Sequence, residues 1–308
     1  MIELKPGLHE INGELYYLEP IGPGDYSLSK VEEVVYRHRS KYQLIEIIRL
    51  YRFGLALFLD NSIQFAEVDE HLFHEPFAHI PLFSHPSPEN VLIIGGGDGA
   101  LLREVVKHDR VRRVVLVEID EDVIKAVKKY IPHVPNGAFE NRKVKIVIED
   151  GYEYVKNTEE KFDVIFMDVT DEYGPAIPLY TRQFYSMVKR ILNRSGIFVV
   201  QSLGLYEHPG ATLDIIENLR KVFKFSWYYK VYVPSFNDEW TITYASDDIN
   251  IHDVEYGVIE ERFRKENVKT KFYNPRIHMA LLEQTRGIPP SPLTFEEGHV
   301  AHRSSHIR

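Results

Sequence analysis

Apolar and polar positions along this chain of 308 residues follow two different patterns. Up to residue 65, short β-type runs alternate with turn residues; the runs are Gly13–Leu18, Glu33–Arg37, Gln43–Leu50 and Gly54–Leu59. Short runs of this kind between turns are typical of a small antiparallel sheet. We therefore predict an N-terminal β domain over residues 1–65.

Beyond Pro88, short apolar strands alternate with helices. The predicted strands are Val91–Ile94, Val114–Val117, Val144–Ile148, Phe162–Met167 and Ile197–Val200. The predicted helices are Ala100–Lys107, Glu121–Lys129, Tyr152–Lys156, Thr181–Leu192 and Ala211–Val222. This alternation predicts an α/β fold with a parallel sheet that helices cover on both faces. A hairpin of Phe225–Val233 and Trp240–Ala245 is predicted to follow, which places the second domain at residues 66–285 and leaves 286–308 as a loosely structured tail.

Composition narrows the classes of function. Lys and Arg number 37 against 46 Asp and Glu, and the resulting net charge of −9 favours a cationic ligand over nucleic acid. The chain has neither an apolar run long enough for a membrane span nor the pattern of a signal peptide at its start. It has no cysteine, which excludes disulfides, thiolate nucleophiles and thiolate metal ligands. We predict a cytoplasmic protein that binds neither nucleic acid nor membrane.

A glycine-rich turn follows the first strand of the second domain and precedes a helix. It reads Gly95-Gly96-Gly97-Asp98-Gly99, and glycines there let the backbone approach a ligand closely. Glu118 ends the next strand, 21 residues after Gly97, where an acidic side chain can bind the hydroxyls of a ribose. The spacing departs from G-x-G-x-x-G, so we predict a nucleoside site rather than a dinucleotide site. A plain strand-to-helix turn is the alternative interpretation.

Two aspartates extend this predicted nucleoside site. Asp150-Gly151 follows the third strand, and Asp150 can either face an adenine amino group or cap the following helix. If the nucleoside is an adenosyl sulfonium that donates a group, Asp98 indicates the charge on the tail of this donor. A carboxylate pairs well with a tail that carries only an ammonium group, as in decarboxylated S-adenosylmethionine, and less well with one that also carries a carboxylate.

An acidic loop follows the fourth strand, with Asp168, Asp171 and Glu172 close together. The carboxyl ends of parallel strands face the ligand crevice, so these side chains can hold a cationic amine. An amine nucleophile must lose its proton before it attacks, and a nearby carboxylate can accept that proton. The alternative is ordinary turn chemistry, because Asp and Gly-Pro favour turns.

Several motifs together resemble the spermidine synthase family of aminopropyltransferases. They span residues 40–280 and comprise Ser40–Gln43, Asp69–Glu75, His85–Pro88, Val91–Gly99, Val117–Asp120, Asp168–Pro175 and Tyr273–His278. The resemblance implies a Rossmann-like sheet of the S-adenosylmethionine-methyltransferase type, with decarboxylated S-adenosylmethionine as co-substrate and no other cofactor. It also implies polyamine acceptors, a homodimer or homotetramer formed through the N-terminal strands, and a lid after the catalytic aspartate.

The resemblance implies roles for individual residues. Asp168 is the expected general base. Donor contacts are expected from Gln43, Gly95, Gly97, Asp98, Glu118, Asp150, Gly151 and Pro175. Acceptor contacts are expected from His74, Asp98, Asp168 and Asp171. Apart from the resemblance, Glu172 adds a carboxylate to the acidic loop, and the Trp240 indole can stabilise an ammonium group by a cation–π contact, with Glu239 beside it as a further candidate.

Three departures from the family pattern concern the acceptor. Phe73 stands where tyrosine is usual, and Glu172 stands where proline is usual. Gln201-Ser202-Leu203 lacks the glutamate that is often found two residues after the glutamine. The segments Val233–Trp240 and Leu179–Thr181, together with the tail Glu297–Arg303, look more like the thermospermine synthase branch. We therefore favour a longer acceptor such as spermidine.

Other classes of function are weighed against this one. A methyltransferase that acts on a diamine is the main alternative, followed by a non-catalytic homologue and an oxidoreductase.

His71, His74, His79 and His85 cluster in sequence, and three more histidines lie in the tail. We predict no metal site, since zinc requires a defined ligand geometry and usually a carboxylate or thiolate partner.

Overall fold

The N-terminal part of the chain forms a six-stranded antiparallel sheet whose strands follow one another in sequence order. The computed structural model describes residues 5–22, 24–170, 174–208 and 210–290. The strands are β1 (Gly7–Ile11), β2 (Glu14–Gly22), β3 (Asp25–Arg39), β4 (Leu44–Leu50), β5 (Gly54–Leu59) and β6 (Ser62–Ala66). Two hairpins turn at Asn12-Gly13 and Asp60-Asn61, where both residues have positive φ. Asn, Asp and Gly tolerate that conformation in two-residue hairpin turns.

All four strands predicted in this region are present, but the sheet is larger than the pattern indicates. The pattern does not predict β1 or β6, and β3 begins at Asp25 rather than Glu33. The first part of β3 is largely exposed. A strand without a buried face lacks the alternation of apolar and polar residues by which sequence reveals it.

The second part of the chain forms a seven-stranded mixed sheet with the order β12-β13-β11-β10-β7-β8-β9. Its strands are β7 (Asn90–Gly95), β8 (Arg113–Glu118), β9 (Val144–Ile148), β10 (Phe162–Asp168), β11 (Leu192–Gly204), β12 (Phe225–Val233) and β13 (Asp238–Ser246). Strands β9, β8, β7, β10 and β11 are parallel, and β13 and β12 form an antiparallel edge. The predicted parallel sheet and hairpin are confirmed. The strand order reverses beside β7, and ligands bind at such a switch point in open α/β sheets.

Helices cover both faces of this sheet. They are α1 (Glu70–Ser84), α2 (Ala100–Val106), α3 (Glu121–Tyr130), α4 (Gly151–Asn157), α5 (Arg182–Ile191), α6 (Ala211–Arg220), α7 (Tyr256–Glu266) and α8 (Pro275–Glu283). Phe77 of α1 and Leu101 of α2 pack in the hydrophobic core on one face, while Val155 of α4 and Phe184 of α5 pack on the other. Among the described residues, no helix is long and apolar enough to cross a bilayer.

The sequence pattern does not predict helix α1, although α1 is the longest helix that the structure describes. Pro76 and Pro81 lie inside it, and proline normally ends or kinks a helix because it removes a hydrogen-bond donor. Nearly all of its side chains are buried, including Phe77, Ile80 and Phe83, which are fully buried. Tertiary packing therefore stabilises a helix that local propensity disfavours. Helices α7 and α8 are also missing from the prediction, although Asn274 caps α8 and Pro275 begins it, a recognisable start signal.

Candidate active site

A cavity opens where the carboxyl ends of β7, β8 and β10 face the N-terminal sheet. Its described lining contains seven carboxylates and one histidine, His74, and neither lysine nor arginine. The carboxylates are Glu19, Asp60, Asp98, Glu118, Asp150, Asp168 and Glu207. Among the lining residues of the N-terminal sheet are Leu57, Ser62 and Gln64. A crevice lined by charges of one sign concentrates the field, so this cavity attracts cations.

The glycine-rich turn lies directly against Asp168. Gly95 and Asp168 are register partners at the ends of the neighbouring strands β7 and β10, and the Gly96 N–H donates to the Asp168 carbonyl at 2.8 Å. Gly95 has a φ of +81°, and a Cβ built on it would lie 2.0 Å from that carbonyl oxygen. Only glycine fits this position, because both the backbone conformation and the space exclude a side chain.

Three side chains from different elements meet at this point. A ring nitrogen of His74, a carboxylate oxygen of Asp98 and a carboxylate oxygen of Asp168 all lie within 4.8 Å of one another. The Oδ2 atom of Asp168 is shielded from solvent and finds no hydrogen-bond partner among the described residues. A buried acceptor without a partner costs free energy, which indicates that a bound donor group satisfies it.

The charges of these three side chains depend on one another. Burial raises the pKa of Asp168 to about 7, and the charge of Asp98 adds to the rise while His74 opposes it. Burial acts to lower the pKa of His74, but the hydrogen bond to Glu70 and the charges of Asp98 and Asp168 raise it to about 9. A carboxylate whose pKa lies near neutrality is suited to general base catalysis.

Asp98 serves the fold and the cavity together. Its Oδ1 accepts the Ala100 N–H at 2.7 Å, at the beginning of helix α2. The side chain also lines the cavity. The helix contact restrains its rotation, so the carboxylate is oriented before any ligand binds.

Glu118 is buried at the end of β8 and lines the cavity beside the glycine turn. Its Oε1 accepts the Asp120 N–H at 2.9 Å. A Cβ built on Gly97 would lie 2.7 Å from Glu118 Oε2, so the absence of a side chain at 97 leaves room for this carboxylate. Burial raises the pKa of Glu118 to about 7.

Two further residues that were predicted to contact the aminopropyl donor, Gln43 and Asp150, line the same part of the cavity. Gln43 donates from Nε2 to Asp120 Oδ2 at 3.0 Å, a bond that joins the N-terminal sheet to the second domain. Asp150 accepts the Tyr152 N–H at 2.8 Å and also lines the cavity. Both interpretations of Asp150 are therefore compatible with its position, because one oxygen caps helix α4 and the other is not used by that cap.

An aromatic wall borders the acidic centre on another side. Phe73, Phe236 and Trp240 line the cavity, with the Phe236 and Trp240 ring centroids 4.9 Å apart. Trp240 Nε1 donates to Gln201 Oε1 at 2.7 Å, and Gln201 Nε2 donates to the Val169 carbonyl at 2.7 Å. Gln201 therefore connects the indole to the end of the strand that carries Asp168.

Some residues expected at the site lie elsewhere or outside the described residues. The expectation for Glu239 is wrong: it bonds Lys230 across the hairpin of β12 and β13 and does not line the cavity. Strand alternation explains this, because neighbours such as Glu239 and Trp240 point to opposite faces. Asp171 and Glu172 are outside the described residues, as are the tail histidines, and the side chain of Pro175 is not described.

The histidines that cluster in sequence separate in space. His79 bonds His108 at 2.9 Å and Glu104 at 3.0 Å, and His85 accepts the Ser87 N–H at 3.1 Å. Of the four grouped in sequence, only His74 lines the cavity. Helical geometry accounts for the separation of His74 from His79, since side chains five residues apart do not lie on one face of α1.

Sequence reasoning misses three acidic residues that line the cavity, Glu19, Asp60 and Glu207. Glu19 lies on β2 and accepts the Ile63 N–H at 2.6 Å, and Glu207 follows β11 with its Cα 3.5 Å from a Cβ built on Gly22. Both therefore lie where the N-terminal sheet meets the second domain. No local motif marks either residue, because the contact between the two domains brings them to the cavity.

Fold and site together define a Rossmann-like α/β enzyme with an acidic cavity at the switch point of its sheet and an N-terminal antiparallel sheet above it. The spermine/spermidine synthase domain profile matches residues 70–254, and the spermidine synthase tetramerisation domain profile matches residues 17–67. The chain belongs to the spermine/spermidine synthase family, and it is an aminopropyltransferase.

Relatives and solved structures agree with this assignment. A polyamine aminopropyltransferase of Korarchaeum cryptofilum is 44% identical over 279 residues, which cover 90% of this chain and 87% of the relative. One of Methanocaldococcus jannaschii is 43% identical over 258 residues, covering 82% and 86%. A spermidine synthase crystallised with the transition-state analogue AdoDATO superposes with a TM-score of 0.82 at 34% identity, covering 92% and 94%. The spermidine synthase of Thermotoga maritima has a TM-score of 0.79 at 33% identity, covering 92% and 93%. These relatives favour aminopropyl transfer over the methyltransferase alternative.

Proposed function

We propose that this enzyme transfers the aminopropyl group of decarboxylated S-adenosylmethionine to a polyamine, with Asp168 as the general base. The observation that carries the proposal is the unpartnered, solvent-shielded Oδ2 of Asp168, close to Asp98 and His74 at the switch point. An alkylamine has a pKa of about 10 and must be neutral to attack. Asp168 accepts its proton as nitrogen bonds to the carbon beside the sulfonium. The carbon–sulfur bond breaks, and its electrons remain on sulfur as 5′-methylthioadenosine leaves.

The donor occupies the part of the cavity around the glycine turn. Glu118 binds the ribose hydroxyls, and Asp150 with Gly151 borders the adenine. Gly95, Gly97 and Gln43 shape the space between them, and Pro175 completes this side. The proposal is supported by the buried Glu118 carboxylate and by the lining shared by these residues, apart from Pro175. Asp98 pairs with the donor's ammonium, which selects a decarboxylated tail.

The acceptor occupies the part bordered by the aromatic wall. His74, Asp98 and Asp168 surround the reacting amine, Trp240 packs against the chain, and Asp171 and Glu172 bind further ammonium groups. Glu19 and Glu207 extend the acidic lining to the edge of the N-terminal sheet. Each ammonium of a polyamine needs its own acceptor, so the length of this acidic lining supports a longer acceptor such as spermidine.

An amine panel tests the acceptor. With decarboxylated donor, we expect higher kcat/KM for spermidine than for putrescine, and chromatography identifies each product. Glu172→Pro should erode the preference for spermidine while it spares putrescine, because it removes the carboxylate that only the longer amine uses. A native enzyme that uses putrescine far better than spermidine would contradict the longer acceptor.

Gly97→Ala tests the ribose contact. The added methyl group would push against Glu118, so we expect 5′-methylthioadenosine to bind about tenfold or more weakly in calorimetric titration. Gly257→Ala is the matched control, because its Cβ meets nothing within 4 Å, and it should bind the nucleoside normally. Native affinity in the Gly97 variant would argue against Glu118 as the ribose ligand.

The N-terminal sheet supports a proposal for the oligomeric state and for the domain boundary. We infer a homodimer or homotetramer formed through this sheet, supported by the tetramerisation domain match and by exposed apolar side chains at Ile11, Tyr26 and Leu28. The same proposal divides the chain into residues 1–65, residues 66–285 and a tail from 286. It is supported by β6, which ends at Ala66, one residue after the first boundary. A cytoplasmic location stays a prediction from the sequence.

A further inference from the structure

A chain of buried ionic contacts runs behind His74, away from the cavity. His74 Nδ1 lies 2.9 Å from the Glu70 carbonyl oxygen and 3.1 Å from Glu70 Oε2. Arg103 donates from Nη2 to both oxygens of the same carboxylate, at 3.0 and 2.8 Å. His74 and Glu70 are 1% and 3% exposed. These contacts join α1 to α2 directly behind the reaction centre.

Arg103 itself is held on its other sides. Its Nε donates to Glu104 Oε1 at 2.7 Å, and its Nη1 donates to the Val134 carbonyl at 2.7 Å. Every nitrogen of the guanidinium therefore has a partner, and the planar group has little freedom to rotate. Because Nη2 of this fixed group donates to both oxygens, it holds the Glu70 carboxylate in one orientation.

Glu70 in turn restricts the imidazole of His74. Both atoms that face Nδ1 are oxygen acceptors, so Nδ1 carries a hydrogen and donates it. The same ring borders the cavity beside Asp98 and Asp168. A ring held between three carboxylates is favourably placed to carry a positive charge.

We propose that Glu70, clamped by Arg103, is a positioning residue of the reaction: it orients His74 beside Asp98 and Asp168 and maintains a positive charge on that ring. This inference rests on the proposed function, in which Asp168 is the base. Glu70 does not touch the substrate and acts only through His74.

The charge on His74 has a direct consequence for the base. Burial and the neighbouring Asp98 and Glu118 all raise the pKa of Asp168, and His74 is the group that opposes them. A base is useful only while it is ionised, so a cationic His74 extends its working range to lower pH. The pKa of His74, raised to about 9, agrees with a ring that remains protonated at neutral pH.

Glu70→Gln separates this role from simple packing. Glutamine keeps the size and one oxygen acceptor but removes the charge that holds the proton on His74. The pKa of Asp168 should then rise, and the rising limb of kcat/KM against pH should move up by about one pH unit. The ratio of variant to native kcat/KM should therefore be roughly one fifth at pH 7 and recover near pH 9, while the titration of the substrate amine cancels in the ratio.

Glu266→Gln is the matched control. The Glu266 side chain is 5% exposed, and its carboxylate bonds the buried His108 at 3.0 Å and Arg110 at 2.6 Å, away from the cavity and from Arg103. Its loss should lower thermal stability without moving the pH profile. A Glu70 variant whose activity falls equally at every pH would contradict the inference and leave Glu70 as a purely structural residue.

Histidine NMR provides a measurement that needs neither turnover nor a stable Glu70 variant. In native protein with labelled histidine, the His74 signal, assigned by its loss in His74→Gln, should titrate well above the ordinary histidine pKa of 6.5. A signal that titrates at or below that value would overturn the inference. A native protein without aminopropyl transfer would instead contradict the proposed function, so the two failures are distinguishable.

Discussion

Asp168→Asn is expected to lower turnover by roughly a hundredfold or more while the donor binds almost as tightly as to the native enzyme. Asparagine keeps the size of the side chain and one oxygen, so the turn around Gly95 and Gly96, which bonds the Asp168 carbonyl, is retained. The amide cannot accept a proton from the attacking amine. Rapid-quench measurement of product formation, together with calorimetric titration of the donor, separates the chemical step from binding.

Asp163→Asn is the control for this variant. Asp163 lies on the same strand but near its opposite end, where it accepts the backbone N–H groups of Glu89 and Asn90 at 3.0 and 2.8 Å. The change should lower stability and leave turnover near native. If Asp168→Asn retained near-native turnover, a different group would have to accept the proton.

Asp98→Asn is expected to weaken binding of decarboxylated S-adenosylmethionine by about 1.5 to 3 kcal/mol, because it removes the carboxylate that we propose pairs with the donor's ammonium. The amide oxygen can still accept the Ala100 N–H, so the beginning of helix α2 should be preserved. Calorimetric titration of native and variant proteins measures the difference. Intact S-adenosylmethionine should bind poorly to the native enzyme, since its carboxylate would enter an acidic cavity.

5′-Methylthioadenosine is the ligand control for this experiment. It has the nucleoside of the donor without the ammonium, and it should bind equally well to the native and Asp98→Asn proteins. Equal native affinity for the intact and decarboxylated donors would remove the argument from Asp98 and reopen the methyltransferase alternative.

The agreement between the predicted and observed second domain has a physical origin. Strands β7, β8 and β10 are buried on both faces, so their apolar runs are continuous and their ends fall within one residue of prediction. Parallel strands also place their carboxyl ends at one edge. Gly95, Asp98, Glu118 and Asp168 could therefore be predicted to converge without knowledge of any contact.

The residues that were missed depend on contacts distant in sequence. Helix α1 contradicts the local effect of Pro76 and Pro81, and burial alone explains why it persists. Glu70 and Arg103 are 33 positions apart, so their ion pair leaves no periodic signal. Glu239 shows the converse, because the sequence places it beside Trp240 while the strand turns it to the opposite face.

By itself the sequence determined the α/β class, the order of strands and helices from β7 to β13, the family, and the group of acidic residues around the glycine-rich turn. These properties are carried by local periodicity and by motifs whose residues are close together along the chain. The tertiary structure alone decided that the N-terminal sheet walls the cavity, that Glu19 and Glu207 reach it, and that Glu70 and Arg103 stand behind His74. Side-chain packing between distant elements sets those contacts, and only the folded chain brings the elements together.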